Sequence, residues 1–218
     1  MSRNYDLNEV ELSKVKTVVF DVGDVLLDYR WKDMLMDYGL SEEDALRVGK
    51  ELFDNPEKLW HVFDLGINSD QEIIDSFCKK YPNDKKAISW FIRHGEFMHV
   101  ARPDVWERVH LLKEQGYGIY LLSNYPESLF KKHTRYADFL DDIDGMMVSY
   151  MIKKAKPDQA IYKALCDKYY LKKDECLFFD DRIENVEGAI DFGMQSVQVH
   201  SRAGLSKDLD VLLKQKNN

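Results

Sequence analysis

The sequence predicts an α/β fold in which a parallel sheet lies between layers of helices. Three observations support this prediction. Short apolar segments alternate with helical patterns, several of these segments end in polar residues, and one long helical stretch interrupts the alternation. The apolar segments lack the polar–apolar alternation of a half-exposed sheet, so we expect both faces of the sheet to be buried. The interruption predicts a helical insert after the first strand.

The composition is typical of a soluble protein with a substantial core. The chain has 218 residues, of which 44% are hydrophobic and 12% aromatic, and this suits one large domain or a domain with a smaller insert. Its formal net charge of −8 argues against non-specific binding to nucleic acid. The sequence shows no apolar leader, no segment of membrane-spanning length and no CxxC spacing among its cysteines. We therefore expect a cytoplasmic protein, monomeric or weakly dimeric, that binds neither nucleic acid nor membrane.

The first predicted strand is the segment 17–20, which ends at Asp21 and is followed by Gly23 and Asp24. In open α/β sheets, ligands bind beyond the carboxyl ends of the strands. A carboxylate at this position can act as a nucleophile, as a metal ligand or as both. Taken alone, the stretch favours a simple polar turn, because Asp and Gly are common after any strand. Later segments of the chain change that balance.

From about residue 28 to residue 99, apolar residues recur at helical spacing in about four groups, with no convincing strand. The groups are Met34, Leu35 and Tyr38; Leu46, Leu52 and Phe53; Ile73, Ile74 and Phe77; and Ile88, Phe91 and Ile92. Ser41 and Ser69 each precede an acidic residue by three positions, as at capped helix starts. We therefore assign residues 30–99 to a helical insert, and residues 1–29 and 100–218 to the α/β domain.

The alternation of strands and helices resumes after the insert. Further strands are predicted at 119–123, 146–149, 176–179 and 196–199, with helices beginning at Pro103, Pro126 and Pro157, another around Val186, and a terminal helix around Leu209. Proline is favoured in the first turn of a helix, which supports the first three of these starts. The basic segment 131–133 is interpreted as a solvated helix face.

Polar residues stand where these strands end. The ends carry Asp21, Ser123, Asn124, Asp180 and Asp181, and Lys156 stands just before Pro157. Together these residues provide a nucleophile, a hydroxyl, an amide, a cation and a second acidic group. A phosphate monoester needs such a set, because its charge must be offset before a carboxylate can attack phosphorus. Hard oxygen ligands of this kind also suit Mg²⁺.

The segments FDVGDV, LLSN, KPD and FFDDRIENV, in this order, resemble the four motifs of the haloacid dehalogenase-like (HAD) hydrolase superfamily. The insert resembles the C1 helical cap of subfamily I. The stretches 102–105 and 63–69 are similar to those of α-D-glucose-1-phosphate phosphatases. The resemblance covers roughly residues 17–200. It implies a Rossmann-like HAD core with a helical cap, and a magnesium-dependent phosphatase acting on a small phosphorylated metabolite, with a sugar phosphate as the expected substrate.

The resemblance also implies a role for each matching position. It makes Asp21 the nucleophile that forms an aspartyl-phosphate and places Ser123, Asn124 and Lys156 around the phosphoryl group. Asp21, Asp181 and the Gly23 carbonyl would bind Mg²⁺. Asp180 would either support these ligands or bind the metal through water, and Asn185 would be a supporting polar residue.

Two positions depart from the family pattern. Most family phosphatases have an aspartate at the position of Gly23, where it serves as general acid and base, so the source of the proton stays open here. The glycine usual before the third-motif lysine is replaced by Lys153. This leaves Lys153, Lys154 and Lys156 as candidates, and Lys156 is preferred because it directly precedes the Pro-Asp pair. The nearest spare acid, Asp24, is expected to point away from the site.

Three alternative functions are considered. A 2-haloacid dehalogenase also lacks the aspartate at the Gly23 position, but it needs no metal, and the Asp180-Asp181 pair favours one. A phosphomutase depends on the acid/base residue that is missing here. A non-catalytic HAD-fold binding protein would not need Asp21, Lys156 and Asp181, so their presence argues against it.

Overall fold

The computed structural model describes residues 5–215 and contains a parallel sheet flanked by helices. The sheet consists of β1 (Thr17–Phe20), β4 (Gly118–Ser123), β5 (Gly145–Val148), β6 (Cys176–Asp180) and β7 (Gln195–Gln198). Its strand order is β5-β4-β1-β6-β7, and every neighbouring pair is parallel. The predicted α/β fold is therefore confirmed, and each predicted strand of the sheet lies within one residue of its expected position.

Helices cover both faces of the sheet and form the insert. The insert contains α1 (Trp31–Asp37), α2 (Glu42–Phe53), α3 (Leu59–Asp64), α4 (Asp70–Lys80) and α5 (Lys85–Arg93). The remaining helices are α6 (Pro103–Glu114), α7 (Glu127–Thr134), α8 (Ser149–Ile152), α9 (Gln159–Tyr169), α10 (Ile183–Phe192) and α11 (Arg202–Gln215). Short 3-10 turns lie at Leu7–Glu9, Leu12–Lys14, Gly95–Phe97, Asp138–Asp142 and Lys173–Glu175. No helix among the described residues is both long and apolar enough to cross a bilayer.

Strand β1 lies at the centre of the sheet, and its side chains enter two different apolar clusters. Phe20 belongs to the cluster on one face, and Val19 to the smaller cluster on the other face. The first cluster continues without a break into the insert, where it includes Met34, Phe77 and Phe91. The insert is therefore packed on the α/β domain through shared apolar contacts, and both layers are stabilised by the same burial.

Two short strands connect the insert to the α/β domain. Strand β2 (Leu27–Tyr29) precedes the insert, and strand β3 (His99–Ala101) follows it; they pair antiparallel, with Leu27 opposite Ala101 and Tyr29 opposite His99. We call this pair the junction ribbon. The sequence prediction found no strand here, because three residues are too few to show a period of two. The two points at which the chain enters and leaves the insert therefore lie side by side.

The insert has five helices, whereas about four were predicted. Helix α3 was missed because its six residues are too few to display a helical period. Helix α2 was predicted, but only Leu52 of its three predicted core residues is buried; Leu46 and Phe53 are 45% and 38% exposed. Their exposure is explained by a cavity next to this helix, described below.

Two further sequence interpretations are wrong. The helix predicted to begin at Pro157 begins at Gln159, with the Asp158 carboxylate accepting a bond from the Ala160 amide as its cap. The basic segment 131–133 is not uniformly solvated, because His133 is buried to 2% exposure in the interior. The adjacent Lys131 and Lys132 made the whole segment look exposed, although His133 faces the interior.

Candidate active site

Asp21 lies one residue beyond the central strand and is almost completely buried. Its Oδ1 atom accepts hydrogen bonds from the Val22 amide at 2.7 Å and from the Ser123 hydroxyl at 2.6 Å, and lies 3.0 Å from Lys156 Nζ. No hydrogen bond to Oδ2 is found within residues 5–215. One oxygen is thus fixed by three donors, and the other is available to a reactant or a metal ion.

Lys156 connects two of the carboxylates. Its ammonium group is fully buried and lies 2.6 Å from Asp180 Oδ2, 3.0 Å from Asp21 Oδ1 and 2.8 Å from the Leu122 carbonyl oxygen. Burial opposes the charged form, but the carboxylates of Asp180 and Asp21 outweigh it and raise the pKa of Lys156 above its ordinary value. The site therefore contains a fixed positive charge beside Asp21.

The two asparagines position their neighbours. Asn124 accepts a bond from the Lys156 amide at 2.8 Å and donates one to the Lys156 carbonyl at 2.9 Å. Asn185 donates to both oxygens of Asp180, at 2.9 and 3.1 Å. Asn185 thus supports Asp180, the place that the motif resemblance gave it. Asn124 orients the lysine backbone with both side-chain groups, so its expected contact with a phosphoryl group stays a prediction.

Three acidic residues could hold a metal ion. Carboxylate oxygens of Asp21, Asp180 and Asp181 all lie within 4.8 Å of one another. Burial, followed by repulsion from Asp21 and Asp180, raises the pKa of Asp181 to about 7. Lys156 offsets only part of this negative charge, and the Asp181 carboxylate has no hydrogen bond among the described residues. The donor set is hard oxygen with excess negative charge, which fits Mg²⁺.

The other two candidate lysines point elsewhere. Lys153 has a left-handed backbone with φ of 58°, the conformation that favours glycine, and its ammonium group bonds to the Gly66 carbonyl. Lys154 lies 3.5 Å from the exposed Asp158 carboxylate. Of the three, Lys156 is the lysine that reaches Asp21. The sequence preference for it agrees with this geometry.

A cavity of about 920 Å³ lies between these residues and the insert. The α/β domain contributes Asp21, Gly23, Lys156 and Asp181 to its wall, and the insert contributes aromatic side chains. Trp31, Phe53 and Trp60 form this aromatic wall, with ring centroids 5.7 Å apart for the first pair and 4.6 Å for the second. Sequence alone could not bring these rings together, because they come from three separate helices.

The position of Gly23 is closed by a neighbouring ring. A Cβ atom added at Gly23 would lie 2.5 Å from Tyr29 Cε2 and 2.6 Å from the Tyr29 hydroxyl oxygen. Real Cβ atoms do not approach other atoms so closely, so glycine is required there while Tyr29 stays in place. Tyr29 comes from the junction ribbon, and no sequence motif pointed to it.

Tyr29 packs against a hydrogen-bonded pair. Its ring lies edge to face on that of Tyr125, with centroids 6.2 Å apart. The Tyr125 hydroxyl lies 2.7 Å from His133 Nδ1, and His133 Nε2 lies 2.8 Å from the Gly95 carbonyl oxygen. Burial lowers the pKa of His133 to about 4, so the ring is neutral. A carbonyl can only accept, so Nε2 carries the proton and Nδ1 accepts from Tyr125. Packing against the Tyr125 and His133 rings holds the Tyr29 ring over Gly23.

Asp24 was expected to point away from the site. Its backbone has a φ of 51°, its Oδ1 accepts a bond from the Tyr29 amide at 3.2 Å, and its carbonyl accepts one from Arg102. The carboxylate therefore closes the turn but also borders the cavity, so its expected orientation away from the site stays a prediction.

We expect Gly23→Asp to lower stability rather than to supply a proton donor. The new side chain has to displace the Tyr29 ring, and overpacking of this kind costs about 1–3 kcal/mol. Urea unfolding of Gly23→Asp, Tyr29→Ala and the double variant would measure the coupling between the two positions. The double variant should lose less than the sum of the single losses. Strictly additive losses would show that the two side chains do not compete for the same space.

Comparison with known proteins identifies the family. The family model described as haloacid dehalogenase-like hydrolase matches residues 15–193. The chain belongs to the HAD-like hydrolases. The phosphatase MT3486 of Mycobacterium tuberculosis is 27% identical over 214 residues, covering 91% of this chain and 95% of that protein. The sesquiterpene phosphatase astK of Aspergillus oryzae is 31% identical over 183 residues, covering 82% and 87%.

Solved HAD structures share the fold. A HAD family enzyme from Bacteroides thetaiotaomicron, in complex with magnesium and inorganic phosphate, superposes with a TM-score of 0.68 at 20% identity, covering 86% of this HAD chain and 96% of that one. Proteins named as (S)-2-haloacid dehalogenases are also similar, over 46% of this chain. The family and the fold expected from the motifs are thus confirmed.

Proposed function

We propose that this HAD hydrolase is a magnesium-dependent phosphatase that forms an aspartyl-phosphate on Asp21. The observation that carries the proposal is the geometry of that carboxylate, with one oxygen fixed by Ser123 and Lys156 and the other unbonded within the described residues. The curated phosphatases that resemble this chain over most of their length support it. Asp21, Asp181 and the Gly23 carbonyl would hold the metal ion.

The residues present can carry out both halves of the reaction. The free oxygen of Asp21 attacks phosphorus, and the Ser123 hydroxyl and Lys156 ammonium stabilise the negative charge on the transferring group. Water then attacks the aspartyl-phosphate and releases phosphate, regenerating the carboxylate. A bound Mg²⁺ would offset the charge of the phosphoryl oxygens. Lys156 is held in place throughout by Asp180 and by the Asn124 side chain.

The insert, residues 30–99, acts in this proposal as a cap over the cavity. It excludes water from the attack on phosphorus and contacts the body of the substrate. The aromatic wall of Trp31, Phe53 and Trp60 offers flat apolar surfaces, which suit the C–H face of a sugar. A sugar phosphate in the cytoplasm is therefore the first substrate class we propose.

The cavity favours a second substrate class as well. Its volume of about 920 Å³ is large for a small sugar phosphate, and Leu46 and Phe53 are exposed along it. An apolar phosphate monoester would bury these side chains and so gain from the hydrophobic effect. The sesquiterpene phosphatase that resembles this chain makes an isoprenoid phosphate a specific member of this class to test.

The test is a phosphate-release screen of sugar, nucleotide and isoprenoid phosphates, each with Mg²⁺ and with EDTA. We expect activity with at least one class, complete loss in EDTA and recovery with Mg²⁺. Asp181→Ala should weaken Mg²⁺ binding, measured by calorimetry, because within residues 5–215 its carboxylate makes no hydrogen bond or ion pair that competes with a metal ion. Asp180→Ala should instead destabilise the fold, because it leaves Lys156 with one buried counter-charge fewer.

Two outcomes would replace this proposal. Dehalogenation of a 2-haloacid in EDTA would make the protein a dehalogenase. Binding of a phosphorylated ligand without turnover, in wild-type protein that binds Mg²⁺, would favour the non-catalytic alternative.

A further inference from the structure

The proposed reaction needs a proton donor for the leaving oxygen, and the α/β domain does not supply one at the usual position. Gly23 has no side chain, and the Tyr29 ring fills the space that an acid would use. Burial raises the pKa of the Tyr29 hydroxyl well above its ordinary value, which makes it a poor proton donor. An acidic group that borders the cavity from the insert is therefore a better candidate.

Asp64 is the last residue of helix α3 and borders the same cavity as Asp21 and Arg182. Its carboxyl group has no hydrogen bond and no ion pair within residues 5–215. It nevertheless borders the same cavity as Asp21, Lys156 and Arg182, so these charged groups surround one space that a substrate can enter. An acidic group placed among these charges without a fixed partner is free to interact with a bound substrate.

The backbone around Asp64 is attached to the α/β domain at two points. The Ser149 hydroxyl donates to the Asp64 carbonyl and also accepts a bond from the Tyr125 amide at 2.9 Å, just beyond Ser123 on strand β4. Two residues further on, the Gly66 carbonyl accepts a bond from Lys153. Asp64 is thus held in a defined place relative to Asp21, although it belongs to the insert.

We propose that Asp64 is the general acid and base of this enzyme, taking the part that an aspartate at the Gly23 position plays elsewhere. The assignment rests on the proposed phosphatase function and deepens it. It makes the insert a contributor to the chemistry as well as to substrate selection.

The proton and electron balance is complete with water as the only co-reactant. As the Asp21 oxygen bonds to phosphorus, the bond from phosphorus to the leaving oxygen breaks, and its electron pair stays on that oxygen. The protonated Asp64 carboxyl gives its proton to this oxygen, so a neutral alcohol departs. Water then attacks phosphorus and gives a proton to the Asp64 carboxylate, while the bond from phosphorus to Asp21 breaks. Burial raises the pKa of Asp64 well above its ordinary value. This favours a protonated Asp64 carboxyl group before the substrate reacts, as a general acid requires.

Other groups around the cavity are less suitable donors. The Asp24 carboxylate is occupied by the Tyr29 amide. Partial desolvation of the His61 ring, together with the charges of Lys58 and Arg182, lowers the pKa of His61, which makes its protonated form less available as a donor. Asp54 is exposed just beyond the end of helix α2 and borders the same cavity. Asp54 therefore serves as a matched control for Asp64.

The test compares wild type, Asp64→Asn, Asp64→Glu and Asp54→Asn on aryl phosphates of graded leaving-group pKa, with Mg²⁺. We expect kcat/KM of Asp64→Asn to fall by about 10²–10⁴-fold for the most basic leaving groups and far less for p-nitrophenyl phosphate. Asp64→Glu keeps a carboxyl group and should recover part of the loss. Asp54→Asn should keep the wild-type dependence. Circular dichroism melting confirms that each variant is folded.

A second measurement reports on the base role. Acid quenching during turnover of radiolabelled p-nitrophenyl phosphate should trap more aspartyl-phosphate in Asp64→Asn than in wild type, because hydrolysis of the intermediate is slowed. An equal loss for every leaving group, with no accumulation, would overturn the assignment of Asp64. A leaving-group-dependent loss in Asp24→Asn instead would also overturn it. A wild-type protein that releases no phosphate from any of these esters would overturn the proposed function itself.

Discussion

Replacing Asp21 with asparagine is expected to abolish phosphate release, with a loss on the order of 10⁴–10⁶-fold in kcat. The amide cannot displace the leaving group from phosphorus, and it is a poor metal ligand. The fold should persist, because the amide oxygen can still accept bonds from Ser123 and Val22. Phosphate release and thermal unfolding of the same preparations would test both parts of the expectation.

The matched control for this variant is Asp24→Asn. That carboxylate lies three residues further along and caps the turn through the Tyr29 amide, so its loss should cost far less activity. Beryllium fluoride, a mimic of the phosphoryl group, should bind wild type at Asp21 and fail to bind Asp21→Asn. Substantial turnover by Asp21→Asn would sink the covalent mechanism.

The second large effect is expected at Lys156. Lys156→Met removes a fully buried ammonium group and leaves the carboxylates of Asp21 and Asp180 in the interior without their counter-charge. Breaking a buried ion pair in this way costs about 3–5 kcal/mol, because one side of the pair stays desolvated and uncompensated. Activity should be lost as well, since no fixed cation remains for the phosphoryl group. Urea unfolding and phosphate release measure the two losses separately.

Lys154→Met provides the comparison for that experiment. Its ammonium group lies on the surface beside Asp158, so the change in unfolding free energy should stay within about 0.5 kcal/mol. The residue types are the same, so the contrast comes from burial and from the number of close partners of each ammonium group. If Lys156→Met were as stable as Lys154→Met, the two carboxylates would have to be protonated in the folded protein.

The residues that follow strands were predictable from sequence because they depend on local patterns. A buried parallel strand is a short apolar run, and the polar residue that ends it lies at the carboxyl edge of the sheet wherever the strand is placed. Asp21, Ser123 and Asp180 were located in this way, and the structure brings all three together around Lys156. Their proposed catalytic and metal-binding roles stay predictions.

The features that sequence could not predict depend on contacts between distant parts of the chain. Tyr29 meets Gly23 only because the junction ribbon turns it back over that residue. Burial of His133 depends on Tyr125 and on Gly95, 38 residues earlier in the chain. Asp64 lay within a stretch that the family resemblance marked, yet its approach to the site depends on Ser149. Residue spacing along the chain does not predict such long-range contacts.

The junction ribbon has a consequence for how the insert and the nucleophile turn affect each other. Tyr29 is a strand residue of the ribbon, and its ring also fills the space over Gly23, two residues from Asp21. A rotation of the ribbon therefore changes the packing of the turn, and a ligand that shifts Tyr29 acts on the ribbon. The ribbon and the nucleophile turn therefore share one packing contact, so a substitution at Tyr29 should alter the turn that carries Asp21 as well as the connection to the insert.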